Sequence, residues 1–130
     1  DAEHHCLEVN IACRIRQHHY LRAYGDEFTL RCSRPSGVET EIDKLLAGWG
    51  DYLFYGFADP NQKHLAAWLI GDLHVFRRWI EGYVRQFGDW PCVVQANRDG
   101  SSDFVAFAIH DIDPAFIVAR DTVCGDPIQL

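Results

Sequence analysis

The chain contains no methionine, no apolar run long enough to cross a membrane, and no glycine-rich loop of the G-x-x-x-x-G-K or G-x-G-x-x-G kind. The first absence extends to the initiator. With Asp1-Ala2-Glu3 at its start and no basic-then-apolar leader, the sequence reads as trimmed or as a fragment. The second predicts a protein without a membrane partner. The third removes the commonest nucleotide-loop signatures. Cysteine is present but patternless. Cys6, Cys13, Cys32, Cys92 and Cys124 are odd in number, show no C-x-x-C spacing and lie in apolar segments. Buried free thiols in a reducing cytosol have that pattern, and disulfide frameworks do not. The His4-His5 and His18-His19 pairs stand too far apart for a helical zinc site and read as solvated or interface side chains.

Positive charge is the scarcer sign, 12 Lys and Arg against 19 Asp and Glu for a net −7, which opposes a general nucleic-acid-coating surface. The imbalance is uneven. Between Asn10 and Arg34, Arg14, Arg16, Arg22, Arg31 and Arg34 stand against Asp26 and Glu27, whereas Asp99, Asp103, Asp111, Asp113, Asp121 and Asp126 face only Arg120 near the end. An anion-facing surface is therefore permitted on one side.

What is plentiful is apolar and aromatic. A 48% apolar share with four Trp, five Tyr and eight Phe in 130 residues predicts a packed globule, residues 1–130 forming one domain. Ala2 to Tyr24 reads as a helix, with Cys6, Val9, Cys13, Tyr20 and Tyr24 at three- and four-residue steps and Gly25 as its stop. Phe28 to Cys32 alternates as a strand. Pro35-Ser36-Gly37 turns the chain, and the overlapping caps Ser36/Glu39 and Thr40/Asp43 open a short helix.

Asp51 to Phe57 is an aromatic strand, and Leu65 to Ile70 an antiparallel neighbour. Asp72 caps an amphipathic helix that Gly88 closes, with Arg77, Arg78 and Arg85 outward. Cys92 to Ala96 and Phe104 to His110 form a hairpin, and Ala115 to Ala119 is a last strand or a helical turn. The class is α+β, a mainly antiparallel or mixed sheet of about five strands flanked by about three helices.

The densest chemistry runs from Arg31 to Asp51. Glu39, Glu41 and Asp51 can offer oxygen ligands to Mg²⁺ or Mn²⁺, with Glu41, Asp51 and Lys44 as the catalytic set and Arg31 and Arg34 on a phosphate. The same residues also read as helix caps and surface ion pairs, since acids answer a helix N-terminus and Glu41 and Lys44 share a face. His74 and His110 are each placed to act as a base, but neither has a nucleophile motif beside it. Tyr52, Phe54, Trp49 and Trp68 could stack bases if their sheet face were open.

The run Pro35-Ser36-Gly37-Val38-Glu39-Thr40-Glu41-Ile42-Asp43-Lys44, followed by Gly50-Asp51-Tyr52-Leu53-Phe54-Tyr55, resembles a segment of phage-borne proteins similar to PD-(D/E)XK nucleases. The resemblance implies a metal-dependent phosphodiesterase, on a mixed sheet with flanking helices, that acts on nucleic acid. The chain departs from it in lacking any Glu-x-Lys and in carrying Arg31 where an acid is wanted, which implies catalysis lost or moved. The rival expectation is an acidic protein-interaction module, a binder of a host or phage protein or a DNA mimic, that performs no chemistry. Converging carboxylates beside Lys44 favour the nuclease, and diverging carboxylates with an exposed apolar patch favour the module.

Overall fold

In a computed structural model, residues 8–21, 25–33, 40–91, 94–96 and 103–122 are described. Strand β1 (Ile11–Arg16) is followed by β2 (Glu27–Ser33), α1 (Glu41–Leu46), β3 (Tyr52–Ala58), β4 (Leu65–Asp72) and α2 (Leu73–Phe87). Strands β5 (Val94–Ala96), β6 (Asp103–Ala108) and β7 (Ile117–Thr122) complete the order. The class is α+β. The strands form two sheets, β1-β3-β4-β7 and β2-β6-β5, and every pairing is antiparallel except β1 with β3. The described strands therefore exceed the expected five, and the described α-helices number two.

The gain of a strand comes at the start of the chain. Within the expected helix Ala2–Tyr24, the described part holds β1 and a 3-10 turn at His18–Tyr20 instead. Ile11 and Ile15 satisfy helical spacing, but Ile11, Cys13 and Ile15 also alternate with Ala12, Arg14 and Arg16. Pairing along Ile11–Arg16 with Tyr52–Phe57 decides for the extended form. Ala115 to Ala119 divides between a 3-10 turn at Pro114–Phe116 and the start of β7.

Local signals elsewhere set the elements where expected. Asp43 accepts the Thr40 amide at 3.0 Å and its hydroxyl at 2.9 Å, starting α1. Asp72 Oδ1 accepts the His74 amide at 2.9 Å, and Gly88 ends α2 at φ 74°, a left-handed position suited to glycine. The Ser36/Glu39 cap, the hairpin turn at 97–102 and the residues from 123 onward lie outside the described residues.

The core lies between the sheets and α2. Phe28, Phe107 and Phe116 come from the strands and turns and Phe76 from α2, with ring centroids 5.0 to 6.1 Å apart. Leu53, Tyr55, Phe57 and Leu69 bring the inner face of the four-stranded sheet to this cluster. Gly71 is glycine because the Phe116 ring lies over it: a Cβ there would fall 2.2 Å from that ring.

Candidate functional site

Two surfaces flank the four-stranded sheet. Alternation sends Leu53, Tyr55 and Phe57 inward and Tyr52 and Phe54 outward. The pairings Ile11↔Tyr52, Cys13↔Phe54 and Ile15↔Gly56 place three β1 side chains on that outer face, and Phe54↔Ile70 and Gly56↔Trp68 add two from β4. Phe54 and Trp68 stack with centroids 6.0 Å apart at 15°. Ile15 and Leu65 reach over Gly56 from either side, each within 3.1 Å of where its Cβ would stand. None of these larger side chains is buried, and Ile11 and Ile15 keep 55% and 48% of their surface in water. The face is a continuous apolar and aromatic surface.

Its charges are of one sign. No Lys or Arg occupies an outward position of β1, β3, β4 or β7, because Arg14, Arg16 and Arg120 alternate to the inner side. Asp121 pairs with Trp68, and Asp51 and Asp72 stand at the strand ends beside Tyr52. Within the aromatic strand Tyr55 and Phe57 are therefore core residues, and Tyr52 and Phe54 are not. The sheet face that would have to be open for stacking is open among the described elements. The basic groove that single-strand binding needs is absent from it.

The inner side of β1 borders a cleft of about 620 Å³ between this strand and α1. Its lining includes Arg14, Glu41, Lys44, Trp49, Thr29 and Tyr55. Arg14 donates to Glu41 Oε1 at 2.9 Å and to the Thr29 carbonyl at 3.3 Å, and the Arg31 amide reaches the same Glu41 oxygen at 3.3 Å. Arg16 donates to the Thr29 hydroxyl at 2.9 Å and lies 4.1 Å from the Tyr20 ring. Inward charges on an edge strand also discourage a foreign strand from adding to it.

The expected Arg31-to-Asp51 constellation separates. Glu41 and Lys44 share the cleft, and Lys44 takes no ion pair among the described residues. Arg31 approaches it through its backbone and is not among the lining residues. Arg34 and Glu39 lie outside the described residues.

Asp51 is turned elsewhere. Its Oδ2 accepts the Asn10 amide at 3.0 Å and its Oδ1 lies 2.9 Å from His74 Nε2. The Asn10 amide first, then His74 and Arg77, hold its carboxyl below the usual range. With both oxygens engaged away from the cleft, Asp51 and Glu41 do not fit a shared cation site as they stand. The described residues contain no group of three His, Cys, Asp or Glu able to hold a metal.

Asp51 with His74 is a pairing that sequence reasoning missed. The only signal was a histidine beside the Asp72 cap. Arg77 Nη1 also lies 3.5 Å from His74 Nδ1, so both ring nitrogens of His74 have a neighbour. Through Asn10, Asp51 and His74 the contacts tie the starts of β1, β3 and α2 together.

Arg77 corrects another expectation. It is half-buried, not solvated, and donates to the carbonyls of Leu45 (2.5 Å), Gly50 (2.6 Å) and Trp49 (2.7 Å). It therefore fixes the turn that carries Trp49 and Asp51. His110 lies in a 3-10 turn beside Asp26 and Asp111, and no nucleophile stands near it among the contacts of the described residues. Cys13 is free and exposed rather than buried, and Cys32 is half-buried.

Fold and surfaces together define an α+β domain with one open apolar sheet face and one cationic cleft behind it. No protein family, curated protein or solved structure matches the chain. No described helix is long and apolar enough to cross a membrane.

Proposed function

We propose that the chain is a protein-interaction module that docks a partner through the outer face of the four-stranded sheet. The observation that carries this reading is an outer sheet face that no described element covers, with Ile11 and Ile15 exposed and Tyr52, Phe54, Trp68 and Ile70 half-buried. A sheet normally buries such a face against another layer. A surface of this kind marks an interaction site on a soluble domain. The charges choose among occupants. Nucleic acid needs cations beside the stacking rings, and the outward positions of these strands carry none. A second copy would bring another net −7 against the same acidic rim. The fitting partner is a protein with an apolar patch rimmed by Lys and Arg, steered by the acidic field and held by aromatic anchors. The test is binding of such a partner to the wild type and to Phe54→Glu, with affinity followed as salt rises.

A second reading is favoured by one observation, that Glu41 and Lys44 line a single cleft with Arg14. In it the chain is a nuclease-like domain acting on nucleic-acid phosphodiesters. Glu41, with Asp51 and Glu39 brought round, would hold Mg²⁺ or Mn²⁺, which supplies a Lewis acid, while Lys44, Arg31 and Arg34 neutralise phosphate. Calorimetric titration of Mn²⁺ and Mg²⁺ into the protein and into Glu41→Ala tests it. Saturable binding lost in the variant supports it, and absence of binding removes it.

A further inference from the structure

We infer that the cleft between β1 and α1 is a binding site for a small oxyanion carried on a flat apolar body, held by protein cations without a metal. This stands apart from the sheet face, which lies on the opposite side of the strands, so the docking reading and this one fail independently.

Size and shape come first. At about 620 Å³ the cleft falls in the range of small-molecule sites. Leu30, Leu45 and Leu53 supply an apolar floor, and Trp49 stands at the rim with 51% of its surface exposed. A tryptophan so exposed beside a cleft is a ready wall for a planar group. Its backbone is held in place, since Arg77 donates to the Trp49 carbonyl at 2.7 Å.

Charge comes next. Two cations line the cleft, Arg14 and Lys44, against one carboxylate, Glu41, which Arg14 already pairs at 2.9 Å. Among the described residues one positive charge is left over, on Lys44, in a chain whose total is −7. Arg14 has only 29% of its side chain exposed, so its attraction for an anion is less screened than that of a surface arginine. Thr29 and Tyr55, both buried, line the same space, and Arg16 engages their hydroxyls from behind. The polar end of the cleft is therefore preorganised, and the apolar end is left to the ligand body.

The role of Glu41 separates this inference from the metal reading. For an oxyanion, Glu41 is a neighbouring like charge, and Glu41→Gln tightens binding while an amide oxygen remains for Arg14 and the Arg31 amide. For a divalent cation it is a ligand, and the same change abolishes binding.

The experiment is isothermal titration in EDTA with adenosine 5′-monophosphate, indole-3-acetate and inorganic phosphate as probes. The proteins are the wild type, Lys44→Glu and Glu41→Gln, each checked for fold by circular dichroism. The expected result is saturable binding of one aromatic-bodied anion, stronger than that of inorganic phosphate. It weakens about tenfold or more in Lys44→Glu and strengthens about threefold in Glu41→Gln. Whichever aromatic anion binds identifies phosphate or carboxylate as the source. No binding by any probe overturns the inference. So do equal binding of inorganic phosphate, binding unchanged in Lys44→Glu, and binding that appears only when the titration is repeated with Mn²⁺ in place of EDTA.

Discussion

Phe54 on β3 and Trp68 on β4 stack 6.0 Å apart, and they do so on the side of the sheet that no described element covers. The same strand sends Tyr55 inward to 1% exposure. One strand thus contributes both a core ring and a surface ring, and the surface ring has the larger consequence for function.

A charge placed on the open face leaves the fold standing. Phe54→Glu is expected to lower the unfolding free energy by about 1 kcal/mol, against the 3 to 5 that loss of a core aromatic costs. Urea denaturation checks the cost, and hydrophobic-dye binding by the native protein is expected to fall. A loss of the core size would make Phe54 a packing residue.

Arg77 is expected to be the most costly arginine to remove. Arg77→Ala strips a charged donor from three carbonyls at the end of α1 and is expected to destabilise by about 2 to 3 kcal/mol. Arg77→Lys recovers only part, because an ammonium lacks the planar fork that reaches three acceptors. Chemical denaturation of both variants measures the difference.

Gly71→Ala places a methyl 2.2 Å from the buried Phe116 ring. Since Phe116 is fully buried, the expected cost is about 2 to 3 kcal/mol, read from the shift in the urea midpoint.

The pH dependence has two arms of opposite sign. Asp51 titrates below its ordinary 3.8 because the Asn10 amide and His74 favour the carboxylate. Its contribution is therefore present above 3.8 and lost as pH falls through the lowered value. Glu27 titrates above its ordinary 4.5, from burial first and then from Asp26. It favours the fold below 4.5, and that contribution is lost as pH rises through the raised value. Asp51→Asn should shrink only the acid arm, which Asp59, also lowered, shares, and Glu27→Gln only the upper one, measured as melting temperature across pH 2 to 7.

Legibility followed the range of the interactions. Asp72, Gly88 and the Thr40–Asp43 box act within four residues, and each was readable as a cap. The β1 strand was not, since Ile11 and Ile15 suit both periods and only β3, some 40 residues on, breaks the tie. Glu41 and Lys44 were readable as neighbours because one helical turn joins them. The turning of Asp51 toward His74 depends on the register that sets Tyr52 opposite Asp72, which no local pattern encodes. Nor could alternation alone say which face of β3 meets the core.

The most direct test of the docking account is site-specific photocross-linking in the cells that make the protein. A benzophenone side chain at Phe54 is compared with one at Arg85, on the exposed side of α2. The account predicts one major adduct from position 54 and none from 85, mapping to an apolar surface flanked by Lys and Arg. With purified partner, binding should weaken at least about tenfold in Phe54→Glu and fall as salt rises. Adducts only to a second copy of the chain, equal adducts from both positions, or none at position 54 would contradict it.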